Sequence, residues 1–115
     1  MTVIIKHVKI QSKSENDIVD LTDKISVKIK ESQIFSGIVT VFVTGSTGAL
    51  TTIEYESGLL KDFPDALSRL APDEISYEHE QMWHDGNGHS HVKASLIGPS
   101  LTIPFNDGNL LLGTW

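Results

Sequence analysis

The chain has 115 residues and a mass of 12.6 kDa, with nine basic and fifteen acidic side chains and no cysteine. That length suffices for one domain with its own apolar core, and the missing cysteines exclude disulfides, iron–sulfur clusters and thiolate zinc sites. Apolar runs are too short to span a bilayer and no signal peptide is recognisable. The sequence therefore predicts one cytoplasmic domain, residues 1–115.

Charge is distributed unevenly along the chain. Residues 1–30 carry six lysines and four acids, a net charge of +2, whereas residues 31–115 carry three bases and eleven acids, a net charge of −8. A protein that binds nucleic acid or an acidic membrane surface needs a basic stripe, so neither is expected as a partner. The acidic part also holds four of the five histidines, which are His79, His84, His89 and His91.

The first half of the chain alternates between strand and helix patterns. Residues 2–10 are rich in β-branched side chains and predict a first strand. Residues 20–32 show apolar side chains at helical spacing after a capping aspartate, and residues 37–44 read as a buried strand between glycines. Residues 49–56 fit either a strand or the entry to a helix.

The second half predicts one more helix and several short strands. Apolar side chains recur at helical spacing over residues 58–70, with a regular start near Pro64. Residues 75–79 look extended, and residues 89–97 alternate as a strand. Two short strands, residues 100–105 and 109–112, flank an Asn-Asp-Gly turn that is typical of a hairpin. Together these elements predict an α+β fold with a mostly antiparallel sheet and two main helices.

The histidine cluster is the sharpest chemical feature of the sequence. On a strand, His89 and His91 would project from the same face, and His79 ends the preceding extended segment. Three imidazoles with a carboxylate or water suit zinc, although other divalent transition metals are possible. A His-x-His pair by itself is more often merely hydrogen-bonded or exposed. The third histidine and the neighbouring acids favour a metal or catalytic site here.

Two further features are weaker candidates. Ser46 and Thr47 lie between glycines directly after a predicted strand, where hydroxyl groups bind phosphate or carboxylate, although a polar turn explains the same residues. Glu54 is a candidate general base or metal ligand, and a solvated acid is the simpler alternative. Asn87 lies in a glycine-rich turn, where such residues are commonly structural.

Several motifs resemble the YjbQ-like family, the secondary thiamine-phosphate synthases. They are GSTGALTTIEYE at residues 45–56, DGNGHSHV at 85–92, LIGPSLTIP at 96–104 and GNLLLGTW at 108–115. The resemblance implies a small α+β fold, a homotrimer and a histidine-lined site associated with metal. It also implies a weak activity that joins a pyrimidine diphosphate to a thiazole phosphate.

Carried over onto this sequence, the resemblance places the metal on His79, His89 and His91 and the family's carboxylate on Glu54. This chain departs from the family in two places. Many members have His-Thr-Ser where this chain has Gly-Ser-Thr at residues 45–47, and members continue beyond Gly-Thr-Trp with a further strand. The chain is therefore expected to end before the family's last strand.

The leading functional hypothesis is a metal-associated enzyme that resembles the thiamine-phosphate synthases and acts on a phosphorylated pyrimidine or thiazole. Glu54 and His89 are the candidate catalytic residues, which would move a proton. Ser46, Thr47 and Asn87 are the candidate residues for holding the substrate's phosphate. Zinc is the expected metal, with magnesium possible for a diphosphate substrate. The alternative is a trimeric module that binds a metal or an anionic metabolite without chemistry, since cations are scarce after residue 30.

Overall fold

A computed structural model describes all 115 residues, which form two compact units. The first comprises Met1–Val39 and Thr102–Trp115, and the second comprises Thr40–Leu101. The elements, in chain order, are α1 (Thr22–Ser32), β1 (Gly37–Phe42), α2 (Leu59–Leu70), α3 (Glu78–Trp83), α4 (Gly88–Ile97), β2 (Ser100–Asn106) and β3 (Asn109–Leu110). The strands form one antiparallel sheet in the order β1-β2-β3, so the α+β fold class is confirmed, with four helices rather than two.

Helix α1 of the first unit forms where the apolar spacing predicts it. The Asp20 carboxylate accepts a hydrogen bond from the Thr22 backbone N–H at 2.9 Å and so satisfies one of the free donors at the helix start. Ile25 and Ile29, four residues apart, lie on one face and are buried. The helix ends at Gln33, whose φ of 60° is left-handed.

The predicted C-terminal hairpin is also confirmed. Strands β2 and β3 pair in antiparallel register with Phe105 opposite Leu110. Asp107 and Gly108 connect them with φ values of 49° and 75°, the two positive angles that a tight two-residue hairpin turn requires. Ile103 and Phe105 alternate along β2 on the buried side.

Helix α2 of the second unit begins earlier than predicted. The expected start near Pro64 is wrong, because the helix runs from Leu59 and contains Pro64 in its interior. The Glu56 carboxylate explains the early start, since it accepts hydrogen bonds from the backbone N–H groups of Gly58 and Leu59. These bonds satisfy two donors at the first turn, where a helix otherwise lacks partners.

Two predicted strands are helices. Residues 89–97 belong to α4, and the predicted extended segment 75–79 already enters α3 at Glu78. The alternation over residues 89–97 was misleading because burial within α4 follows helical spacing, with Gly88, His89, Lys93 and Ala94 buried. Tyr77, directly before α3, has extended backbone angles, φ −117° and ψ 139°.

The predicted first strand is also wrong. Residues 2–10 belong to no strand and all their side chains are exposed, including Val3 at 77% and Ile5 at 80%. Strand propensity creates a strand only where a neighbouring backbone offers hydrogen bonds, and the sheet of this chain offers none to these residues. None of the four helices has the length and apolar character that crossing a bilayer requires.

Candidate metal centre

The candidate centre lies in the second unit, where helices α3 and α4 follow each other closely. Residues 84–87 connect them and carry three polar side chains, His84, Asp85 and Asn87. The connection turns sharply because His84 adopts a left-handed φ of 57° and its N–H donates to the Glu80 carbonyl at 3.0 Å. Gly86, with a φ of 69°, provides the second left-handed position. This backbone turns the connection back toward His79 in α3.

His79, Asp85 and Asn87 meet at this connection. The Nε2 atom of His79 lies 3.0 Å from the Oδ1 atom of Asp85, and the inward atom of the Asn87 amide lies 2.9 Å from the same Nε2 and 2.8 Å from Oδ1. The His79 and Asp85 side chains are 27% and 46% exposed, so the group is open to solvent on one side. Three polar atoms from three residues thus converge within 3 Å of one another.

The Asn87 amide has two orientations with different chemistry. With its nitrogen inward, the amide donates to Asp85 and to an unprotonated His79 Nε2, which then has no proton to donate to Asp85. With its oxygen inward, a protonated His79 Nε2 donates to Asp85 or Asn87, while the Asn87 and Asp85 oxygens face each other in an arrangement that a bound cation would stabilise. Neighbouring ligands at right angles around a divalent ion, with bonds of about 2.1 Å, lie about 3.0 Å apart. The spacing of the three atoms therefore matches both ordinary hydrogen bonds and the ligands of an octahedral divalent ion.

Asn87 occupies the capping position before α4, yet its side chain forms no cap hydrogen bond there. Asparagine is favoured at that position because its side chain can satisfy a free backbone N–H of the first turn. Here the amide instead faces His79 and Asp85, and the Glu80 carboxylate accepts the Gly88 N–H at 2.6 Å. Glu80 thus satisfies the first free N–H of α4, and the Asn87 side chain faces the site.

His91 completes the cluster at its margin. It lies four residues after Asn87, on the same face of α4, and its ring centroid is 4.5 Å from that of His79 with the ring planes tilted by 53°. The expected proximity of His79 and His91 is therefore observed. His91 also lines a shallow surface depression with Val92, Ser95 and Leu96.

His89 does not share a face with His91. Two residues on a helix are separated by about 200°, so the prediction that the two imidazoles project together from a strand is wrong. His89 is buried, at 8% exposure, with its ring centroid 6.3 Å from that of Tyr77. Lys93, one turn further along α4, is buried on the same side. His89 as a third metal ligand stays a prediction that this helix geometry does not favour.

Tyr77 anchors the start of α3. Its hydroxyl donates a hydrogen bond to the Pro72 carbonyl oxygen. Desolvation by burial, followed by the negative charges of Glu80 and Asp73, raises the pKa of the Tyr77 hydroxyl. The hydroxyl therefore stays protonated and remains a donor over a wide pH range.

The other predicted site residues lie outside this cluster. Ser46 and Thr47 are exposed in a turn closed by the Gly48 N–H and the Gly45 carbonyl at 3.3 Å, and their side chains make no hydrogen bond within the chain. Glu54 is exposed, and its side chain has no hydrogen bond or ion pair. None of the three joins the group of His79, Glu80 and Asp85, whose ligand atoms lie within 4.8 Å of one another.

Asp85 and Glu80 are among the neighbouring acids that favour a site in the sequence, but the sequence assigns neither of them a specific role. An aspartate next to glycine is commonly a turn residue, so the sequence pattern alone does not distinguish Asp85 as a ligand. A helix assignment for α4 was available from Asn87 before the segment and Gly98-Pro99 after it, which are typical start and stop signals. That assignment would have paired Asn87 with His91 through their four-residue spacing.

The fold is that of a small α+β protein with one three-stranded sheet, and its candidate centre lies at the connection between α3 and α4. A family model described as "UPF0047 protein YjbQ-like" matches residues 6–115. A UPF0047 protein of Methanothermobacter thermautotrophicus is 35% identical over 115 residues, covering 100% of this chain and 79% of its own length. The UPF0047 protein YugU of Bacillus subtilis is 30% identical over 114 residues, covering 97% and 83%. The chain belongs to the YjbQ-like UPF0047 family, and the resemblance from its motifs is confirmed.

Solved structures agree with this assignment. A protein of unknown function from Sulfolobus solfataricus superposes with a TM-score of 0.84 at 31% identity, covering 91% of this chain and 75% of that one. An uncharacterised YjbQ/UPF0047 protein from Clostridium acetobutylicum gives a TM-score of 0.80 at 31% identity, covering 91% and 80%. These matches establish the fold and the family.

Proposed function

We propose that the chain is a metal-dependent enzyme that resembles the secondary thiamine-phosphate synthases and acts on phosphorylated pyrimidine and thiazole molecules. The observation that carries the metal is the convergence of His79, Asp85 and Asn87, with three donor atoms 2.8–3.0 Å apart. The substrate class rests on the family resemblance. An imidazole nitrogen with carboxylate and amide oxygens suits zinc, manganese or another divalent transition ion, and magnesium less well.

In this proposal, different residues of the chain bind the metal, transfer a proton and hold the substrate's phosphate. A divalent cation bound at the centre supplies charge neutralisation for a diphosphate group. His79, Asp85 and Asn87 hold that cation, and His91 lies where it can contact a substrate beside it. Glu54 and His89 remain the proposed proton-transfer residues and Ser46 and Thr47 the proposed phosphate-holding residues. Of the three residues predicted to hold the substrate's phosphate, only Asn87 lies at the candidate centre.

A second candidate function is a module that binds a metal or an anionic metabolite without turnover. The charge distribution favours it, since Lys61, Arg69 and Lys93 are the three cations after residue 30. Lys93 is buried, which leaves fewer exposed cations for a diphosphate. Enzymes that act on diphosphates normally use basic side chains or metal ions to clamp them.

A homotrimer is part of the same proposal. Large apolar side chains of the second unit are exposed in the single chain, including Met82 at 74%, Trp83 at 70% and Leu96 at 60%. Contiguous exposed apolar surface marks an interaction site in many proteins. Light scattering on a sizing column should give a mass near three times 12.6 kDa. A monomeric mass at micromolar concentration would contradict this part of the proposal.

The test of the centre combines metal analysis with turnover. Purified protein should contain about one divalent ion per chain, and His79→Ala and Asp85→Ala should each lower metal affinity at least about tenfold. His7→Ala is the matched control, because His7 is exposed outside the cluster and its loss should change nothing. Wild-type affinity in both site variants would refute the ligand assignment.

Turnover separates the two candidate functions. Wild-type protein with bound metal is mixed with the pyrimidine diphosphate and the thiazole phosphate, and product is compared with a heat-killed control. Product that disappears in Asp85→Ala supports the enzyme. Stoichiometric metal with no product above the control supports the binding module. His89→Ala is assayed in parallel, because it tests a predicted catalytic residue that lies outside the three converging ligands.

A further inference from the structure

Glu80 makes contacts with both ends of the connection between α3 and α4. Its backbone carbonyl accepts the His84 N–H at 3.0 Å, where the connection begins. Its carboxylate accepts the Gly88 N–H at 2.6 Å, where α4 begins. One residue of α3 thus spans residues 84–88, the segment that carries Asp85 and Asn87.

The second of these contacts is built into a tightly packed place. Gly88 is buried, and a Cβ atom there would lie 2.7 Å from the Tyr77 Cβ and 2.8 Å from the Glu80 Oε1. Only a residue without a side chain lets the backbone approach Glu80 this closely. The negative carboxylate also lies at the positive end of the α4 helix dipole, which strengthens the contact.

From these contacts we infer that Glu80 is a positioning residue for the metal centre. This inference rests on the proposed metal-binding function. Glu80 holds the connection so that Asp85 and Asn87 face His79, and it satisfies the free N–H of Gly88 at the start of α4. It acts through the acceptor oxygen bound to the Gly88 N–H, and it is not itself a ligand of the metal.

A direct ligand role is the competing assignment for Glu80. Its carboxylate belongs with His79 and Asp85 to a group whose ligand atoms lie within 4.8 Å of one another. The two roles make different demands on the side chain. A positioning role needs an oxygen acceptor at the right reach, whereas a ligand role depends on the negative charge. Glutamine keeps the reach and the oxygen but not the charge, so Glu80→Gln separates the roles.

The experiment measures metal affinity and local structure on the same full-length variants. Zinc or manganese is titrated into metal-free protein by calorimetry, and amide exchange at Gly88 is followed by NMR without metal. Glu80→Ala should lose Gly88 protection and bind metal about 10–100-fold more weakly, the effect typical of groups that orient metal ligands. Glu80→Gln should keep the protection and remain within about threefold of the wild-type affinity. Glu80→Asp is one methylene shorter and serves where the alanine variant fails to fold, with the same expected loss.

The possible outcomes separate the positioning role of Glu80 from the proposed metal centre on which it rests. A wild-type protein that binds no metal overturns the proposed centre and the positioning role together. A wild type that binds metal while Glu80→Ala and Glu80→Asp bind it equally well overturns the positioning role alone. A Glu80→Gln variant that keeps Gly88 protected yet loses affinity as strongly as Glu80→Ala makes Glu80 a ligand and also overturns it.

Discussion

Replacing Gly88 with alanine adds one Cβ atom, which has two opposing effects on the stability of the fold. Gly88 is the first residue of α4 and its φ is not positive, so alanine fits the backbone angles there. Helix propensity alone would make the substitution stabilising by about 0.5–1 kcal/mol. The added Cβ, however, would lie 2.7 Å from the Cβ of Tyr77 and 2.8 Å from the Oε1 of Glu80.

The steric effect should exceed the propensity gain. Two carbon atoms in contact prefer a separation of about 3.5–4.0 Å, so the new methyl group overlaps Tyr77 by about 1 Å. The Tyr77 Cβ is bonded directly to the backbone and cannot move without shifting the start of α3. Overpacking of this kind costs about 1–3 kcal/mol, which after the propensity gain leaves a net destabilisation of about 1 kcal/mol.

Urea unfolding at fixed protein concentration, followed by circular dichroism, measures this net value. Gly45→Ala is the matched control, since a Cβ at Gly45 meets no atom within 4 Å. The control should stay within about 0.5 kcal/mol of the wild type. A Gly88→Ala protein as stable as the wild type, or more stable, would refute the argument that the close approach of α4 to α3 needs glycine.

Two further predictions concern helix starts. Glu56→Ala should lower the free energy of unfolding, measured in urea, by about 1–2 kcal/mol, because the N–H groups of Gly58 and Leu59 lose their shared acceptor. Glu56→Gln keeps an acceptor oxygen and should lower it clearly less. Equal losses in the two variants would contradict a capping role. The pKa of Asp20 is lowered, chiefly by the Thr22 side chain and then by its backbone N–H. The ionised carboxylate therefore stabilises the fold above its unfolded pKa of about 3.9, and this contribution is lost as the pH falls through the lower folded value. The stability difference between wild type and Asp20→Ala should shrink between about pH 5 and pH 2, and a constant difference would contradict the assignment.

Sequence patterns predicted those elements whose signals are local. Helix α1 has a capping aspartate and two apolar residues on one face, and the hairpin has a turn that requires positive φ at two positions. Both sets of signals act within a few residues, so no distant partner is needed to read them. Residues 2–10 lack such a local signal. Their β-branched pattern indicates strand propensity, but it does not indicate whether a neighbouring strand is available for pairing.

The candidate centre was predicted in part, and for a reason that the structure changes. His79 and His91 do lie together. Asn87 contacts His79, and His91 lies on the same side as Asn87 because the two are four residues apart at the start of a helix. The alternation of a strand is not the cause. A period of two and a period of 3.6 both place residues 87 and 91 on one side, whereas they disagree about residue 89. His89 is therefore the residue on which the wrong secondary structure had the largest consequence.

The same comparison explains why the carboxylates were harder to find than the histidines. Histidine is rare enough that four in thirteen residues draw attention, whereas Asp85 and Glu80 are two of fifteen acids and have no distinctive spacing. Their roles arise from the tight turn at residues 84–87, which depends on a left-handed His84 and on the missing side chain at Gly88. A conformation set by a non-glycine left-handed residue is poorly encoded in local propensity. The centre thus depends on a backbone turn that becomes visible only once α3 and α4 are recognised as helices.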